Sequence, residues 1–450
     1  DVYKRQNTNC TSSESRHSVE VNPSTLKPVH SCQVQVQISC HCHMNRFTSG
    51  ICGFQIITKL STEPPKAEPN MPSLSQHPNG TLPLVLAMLM GISILYIGCD
   101  SENEGKQQNL DPAFFEAIGS WRAAEAVNAS EAWFASSNGH WQRIFKTQTQ
   151  STQQTFGNAL QDTSASAIEM HFRGLVKTPE ALLGTVIGSP GLIQRGTFDS
   201  NGKLNQPWTT VWREDHPNAF LDAIIALDDQ TLVAMGDPID SCLYIVRSDD
   251  GGRTWAKVPC ADQAQFGVPT SRKGEAAFAA SNGNLSAMGD TVWMVSGGGA
   301  SRVYRSENRG HSWRAFETPL QQGGDMTGGF SMDFADAQHG ILWGGNWQDK
   351  PDNTARAAVT SDGGTTWTLI AEGQGPGYAS SVRYRPGSAG RQLALIGSPS
   401  GIDVSDDGGA SWRHVSDSAF YTGRFSPDGT ALWLSGNGGM ARFSAASLGW

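Results

Sequence analysis

Charge is scarce in this sequence. Asp, Glu, Lys and Arg make up 17% of its 450 residues, and the acids outnumber the bases by 42 to 33. No basic stripe gathers along the chain, so nucleic acid is excluded as a partner. Membrane-spanning runs are also lacking: the apolar stretch 82–97 has 16 residues, short of the ~20 that a crossing helix needs. No Gly-rich nucleotide fingerprint leads into a helix and no haem-type C-x-x-C-H occurs, so redox chemistry has no support and no cofactor is expected. Cysteine is thin after residue 80, where only Cys99, Cys242 and Cys260 remain.

What is abundant is glycine, with 50 residues, and tryptophan, with 14. That composition suits many short strands joined by tight turns. Residues 1–80 stand apart. They hold Cys10, Cys32, Cys40, Cys42 and Cys52 among Ser, Thr, Asn and Pro, and open on "DVYKRQ", which resembles a translated adapter. Their "CHCHMNRF" interleaves Cys and His without a matching second pair, so no metal site is expected. This segment reads as a non-native or disordered leader, with the natural start at Met71. Residues 81–99 then read as a signal segment. Its "YIGC" resembles a bacterial lipobox, which would make Cys99 a lipidated residue. Tyr96 departs from the usual Leu, and no Lys or Arg precedes the run after Met71. A polar tether at 100–115 and a folded domain at 116–450 follow. The expectation is an exported protein of the periplasm or cell envelope, held to the membrane by its lipid, with a cleaved secretory signal or an uncleaved anchor as the alternatives.

The folded part repeats itself. "SDDGGRTW" at 248–255 recurs as "SENRGHSW" at 306–313, "TSDGGTTW" at 360–367 and "SDDGGASW" at 405–412. The shared pattern is S/T-x-D/N-x-G-x-S/T-W. Its members are Ser248, Asp250, Gly252, Thr254 and Trp255; Ser306, Asn308, Gly310, Ser312 and Trp313; Thr360, Asp362, Gly364, Thr366 and Trp367; and Ser405, Asp407, Gly409, Ser411 and Trp412. A decayed copy, "TFDSNGKLNQPW", ends at Trp208, and the closing tryptophans are 47, 58, 54 and 45 residues apart. Each copy lies between two β-rich runs, with two further runs upstream. Four strands per ~50 residues is one propeller blade. The repeat then reads as the turn of the outer hairpin. Gly allows positive φ, Asp accepts turn N–H bonds, the hydroxyls cross-link the arms, and Trp packs between blades.

These four copies resemble the Asp-box, or BNR repeat, and the resemblance covers roughly residues 120–450. The family includes sialidases, sortilin-type receptors and photosystem II stability/assembly factor-like proteins. The chain is most similar to exported bacterial BNR-repeat proteins, some of them labelled oxidoreductases. The resemblance implies an all-β fold. Counting "EAWFASSNG" at 131–139, which echoes "EAAFAASNG" at 275–283, and the unboxed C-terminal segment, we expect a seven-bladed β-propeller, with six blades as the alternative. The last blade looks one strand short, so an N-terminal strand would complete it.

Cys242 and Cys260 flank one repeat. If Ser248 pairs with Thr254, the positions sum to 502, and so do those of the two cysteines. They are therefore expected face to face and disulfide-bonded. Candidate ligand contacts lie on the long loops of the face opposite the repeated turns. They are Asp237, Glu275, Trp347 and Tyr378, with Asp240, Asp325 and Asp349 nearby. Further candidates, Arg173, Asp222, Arg302 and Arg383, lie on strands, and Arg173, Asp222, Ser331 and Ser381 align on inner strands with Arg383 and Arg424 close by. No residue is assigned as catalytic. The favoured function is a non-catalytic, monomeric binding or assembly module for a protein or glycan. The alternative is a sialidase-like exo-glycosidase. For that, "FRGL" at 172–175 matches only the Arg of the family's early motif, and Glu275, Arg302, Tyr378 and Arg383 would have to fill the other roles.

Overall fold

A computed structural model describes residues 111–145, 154–155, 170–205, 207–261 and 267–450, all within one compact unit, Asn103–Trp450. The leader, the apolar run 82–97 and Cys99 lie outside the described residues, as does most of the tether. Among the described residues no helix is long and apolar enough to cross a membrane.

The described residues are all-β, and their hydrogen-bonded sheets number six. The propeller therefore has six blades among the described residues, not the seven expected from the repeats. The reason is one 16-residue strand, Ala113–Asn128, used twice. Its first half pairs with the C-terminal strand Ala431–Ser444, Phe115 opposite Met440. Its second half pairs with Glu131–Ser136, Ala124 opposite Phe134. The strand sets at the two ends of the described chain thus merge into one six-stranded sheet. Ser444 N–H adds a bond to Asp111 Oδ1 at 2.9 Å.

Three of the other sheets are antiparallel meanders of consecutive strands, such as Leu221–Ala226, Leu232–Ile239, Cys242–Ser248 and Ala256–Lys257, and one is widened to six strands by Glu275–Ala276 and Gly297–Gly298. Each closing Trp fills the apolar layer between its own sheet and the preceding one. Trp313 joins Val233, Met235 and Ile245 to Val292, Met294 and Tyr304. Trp367 lies among Trp293, Val303, Phe334 and Leu342, and Trp412 packs on Trp343 and Leu395. These layers bury large apolar side chains on both faces of most sheets, each contributing about 1.5–3 kcal/mol.

The repeated turns are built alike. The Gly252, Gly310, Gly364 and Gly409 N–H groups donate to the hydroxyls of Ser248, Ser306, Thr360 and Ser405 at 2.9–3.0 Å. Those glycines have φ between 75° and 94°, a region a Cβ makes costly. Asp250 Oδ1 accepts from the N–H groups of Arg253 and Thr254, both at 2.9 Å. Each turn is also tied to the first hairpin of its own sheet, for example Gly251 N–H to Gln230 O and Gly408 N–H to Arg391 O, both 2.9 Å.

Cys242 and Cys260 form a disulfide with Cα atoms 5.6 Å apart. The pairing arithmetic needs correction by one residue. Arg247 faces Ala256 and Val246 faces Lys257, so facing positions sum to 503. Cys242 bridges to Thr270 and Cys260 to Val268, and the bond spans that junction rather than one ladder rung.

Candidate functional site

The centre of the ring is filled by the chain itself. After the two-residue strand Glu275–Ala276, segment 277–284 runs through the middle, and most of its residues are buried. Its backbone carbonyls collect side chains from the surrounding inner strands. Arg173 reaches Ala279 O at 3.3 Å, and Arg122 reaches Ala280 O at 3.4 Å. Thr422 Oγ1 donates to Ser281 O at 2.8 Å. Arg424 and Arg383 both reach Asn282 O, at 2.7 and 3.3 Å.

The segment's own side chains point outward into the ring. Asn282 sits at φ 54°, a left-handed conformation that Asn tolerates better than most residues. Its Oδ1 accepts the Ile224 N–H at 2.8 Å. Ser281 Oγ donates to Ser380 O at 2.6 Å, and Gly283 O accepts the Met332 N–H at 2.8 Å. The resemblance between 131–139 and 275–283 is therefore not structural. The first is an ordinary strand and turn; the second is a plug. Arg122, Asn282 and Thr422 were missed by sequence reasoning, because their partners lie 58 to 158 residues away.

The expected site residues fall into separate environments. Arg173 and Arg383 are held on the plug. Ser331 Oγ accepts the Val382 N–H at 3.0 Å. Arg302 and Glu275 form a buried pair, Nη2 to Oε2 at 2.5 Å and Nε to Oε1 at 3.1 Å. Ser296 Oγ and Tyr304 Oη donate to the same Oε1, at 2.5 and 2.9 Å. Burial, and then the Glu275 charge, push the Tyr304 phenol well above its ordinary range. Tyr378 is buried edge-on to Phe330, whose ring stacks on Phe278 with centroids 4.1 Å apart. Trp347 packs against that cluster, with the Lys350 ammonium 5.3 Å from its ring. The structure does not bring Arg173, Arg302, Arg383, Glu275 and Tyr378 together around one reacting position.

Asp237 and Asp222 do come together. Asp222 is fully buried, and neither carboxyl oxygen is hydrogen-bonded. The nearby Asp237 N–H is committed to Phe220 O at 3.0 Å. Burial, then the Asp237 charge, hold the Asp222 carboxyl far above the ordinary carboxylate range, and Arg173 opposes this in part. Asp237 is pushed up to about 6 by burial, although Oδ1 accepts the Ala277 N–H at 2.8 Å. Asp237 lines an open pocket of about 500 Å³, whose other walls include Pro217, Asn218, Phe220, Pro238 and Glu275. It lies on the face opposite the repeated turns. Among the described residues no group of three or more His, Cys, Asp or Glu could hold a metal ion.

No family model matches this chain, and no curated protein matches it either. Solved structures do. It is similar to YCF48 bound to D1 peptide, with a TM-score of 0.52 and 15% identity over 75% of this chain and 96% of that one. It is also similar to U3-55K, with a TM-score of 0.50 and 11% identity over 74% of this chain and 98% of that one. The chain is a β-propeller protein. At such identities the likeness is one of fold, and function must be argued from the site. The propeller's central plug and its loop-face pocket are the features that bear on function.

Proposed function

We propose that this propeller is a non-catalytic binding module that takes a protein segment on its loop face. The observation that carries the reading is the plug. Segment 277–284 occupies the centre and engages Arg122, Arg173, Arg383 and Arg424 through its carbonyls. A substrate carboxylate would have to displace an internal segment to reach those arginines. The loop face keeps open space beside Asp237. A propeller of similar fold, YCF48, is seen bound to a peptide, which favours a protein segment over a glycan. The residue-by-residue hydrogen bonding of the four repeated turns supports reading them as Asp-boxes whose role is structural. The apolar run 82–97 with "YIGC" supports export and an anchor at Cys99.

The test has two arms. The purified protein is assayed on sialoside and aryl-glycoside substrates beside Arg173→Ala, and it is panned against displayed random peptides. We expect no turnover, and peptides whose binding is lost with Asn218→Arg on the loop face and kept with Arg253→Ala on the opposite face. Turnover lost in Arg173→Ala would establish the glycosidase instead. Failure to select any loop-face binder would overturn the module.

A further inference from the structure

The pocket beside Asp237 has the chemistry of a side-chain socket. Pro217, Ala219, Phe220 and Pro238 give it apolar walls, and of its two carboxylates Glu275 is closed on Arg302, which leaves Asp237. Asp237 spends Oδ1 on the Ala277 N–H, and no hydrogen bond holds Oδ2 to the described residues. Next to it, Asp222 is fully buried with both oxygens unpartnered. Burial, and then the Asp237 charge, favour the protonated form of Asp222, so the negative charge of the two is that of Asp237. That charge faces the opening through Asp237.

We propose that this pocket receives the side chain of a lysine presented by the partner segment, its alkyl stem on the apolar walls and its ammonium on Asp237 Oδ2. The proposal rests on the loop-face reading above. A lysine suits the site because amphipathic side chains lay their methylenes along apolar surface and carry charge at the tip. Arginine suits it less. A guanidinium fork is matched by two free carboxylate oxygens, and Asp237 offers one. A divalent cation suits it least, because it needs about six oxygens. The Glu275 oxygens are not available to one: Oε1 is held by Ser296, Arg302 and Tyr304, and Oε2 by Arg302 and the Arg272 N–H at 2.7 Å. The acidic balance of the whole chain, 42 acids against 33 bases, also favours a basic partner.

The experiment uses two probes, Nα-acetyl-lysine amide and the uncharged Nα-acetyl-norleucine amide. Both are titrated into the 15N-labelled protein while the Ala277 and Phe220 amide signals are followed. The lysine probe should shift both signals saturably, and the norleucine probe should bind at least about tenfold more weakly, the usual worth of a charge-assisted hydrogen bond. Affinity should grow as pH rises through about 6, where Asp237 ionises while the lysine stays charged. The charged and titratable groups facing Asp237 are Asp222, with Arg173 behind it, and Glu275, closed on Arg302. Asp237→Asn keeps the shape and should abolish the difference between the probes. Asn218 is exposed, so Asn218→Arg leaves the core intact and should exclude the lysine probe from the rim.

Equal binding of the two probes, or lysine binding that survives Asp237→Asn, would overturn the proposal. So would no binding of either probe at millimolar concentration. Displayed peptides that bind the loop face without a basic residue would sink the lysine socket and leave the binding module standing. The absence of any loop-face binder would sink the module itself.

Discussion

Asn308 Nδ2 donates to Ser312 Oγ at 2.9 Å. In the other three repeated turns the donor is the hydroxyl: Thr254, Thr366 and Ser411 donate to Asp250, Asp362 and Asp407 Oδ2 at 2.6–2.7 Å. The turn keeps its cross-link while the proton changes sides. The shorter bonds are those to a carboxylate, as charge assistance requires. At Asp250 burial works against ionisation, but the bonds from Thr254, Ser248 and Arg253 outweigh it and draw the carboxyl down to about 2.

Asn308→Asp should therefore stabilise the propeller by about 0.5–1 kcal/mol at neutral pH. Its carboxyl would have a lowered pKa, so the gain is present above the ordinary Asp value and fades as pH falls through the folded one. Urea denaturation at neutral and acid pH checks both points. No gain at neutral pH would show that this turn does not depend on the carboxylate.

Asp222 acts in the opposite sense. Asp222 and Asp237 both bind their protons more tightly in the folded chain than in the unfolded one. Their protonated forms favour folding, so stability is full below the ordinary value of 3.8 and declines as pH rises through about 6 and beyond. Asp222→Asn removes part of that decline. Its melting temperature should exceed wild type at about pH 8 and match it at about pH 4. A variant less stable at both would show that the acid is held by interactions that the amide cannot make.

Gly283 has no room for a side chain. A Cβ there would lie 2.5 Å from Ser281 Oγ, 2.6 Å from Ser331 Oγ and 3.1 Å from Arg383 Nη2. Gly283→Val should cost about 1–3 kcal/mol by overpacking, seen as a lower denaturation midpoint. An unchanged midpoint would mean that the plug can leave the centre at little cost.

The Cys242–Cys260 bond closes a loop with a sequence separation of 18. Loops of that size gain about 3 kcal/mol when cross-linked. Cys242→Ala with Cys260→Ala should lower stability by about that much, and reductant should then have no further effect. Equal midpoints for oxidised wild type and the double variant would remove the bond from any account of stability.

The repeated turns were legible because each is local. The bonds joining Ser248, Asp250, Gly252 and Thr254 span four residues or fewer, so a short pattern contains the whole device. The cysteine pair was legible too, though its facing positions were displaced by one. A turn pattern does not record where the outer ladder resumes, and here that is Ala256 opposite Arg247. The plug was not legible. "EAAFAASNG" reads like the strand and turn at 131–139, and only contacts with Arg173, Ile224, Arg383 and Arg424 separate the two. The Arg302–Glu275 pair is hidden for the same reason, since its members are 27 residues apart. Asp237 reads in the sequence as a loop acid, but it lies in the strand Leu232–Ile239, and nothing in its surroundings in sequence shows that it neighbours the buried Asp222.

The strand Ala113–Asn128 has one more consequence, and it concerns time. Its second half finds Glu131–Ser136 within a few residues, while the first half must wait for Ala431–Ser444. Asp111 and Ser444 are 333 residues apart. At ordinary ribosome speeds that interval is on the order of half a minute. Throughout it, the edge at Phe114 and Phe115 lacks its neighbour, and a second nascent chain offers the same missing strand. Crowded synthesis should thus favour exchange between copies, and the ring closes correctly when the earliest of these residues meet the latest of their own chain.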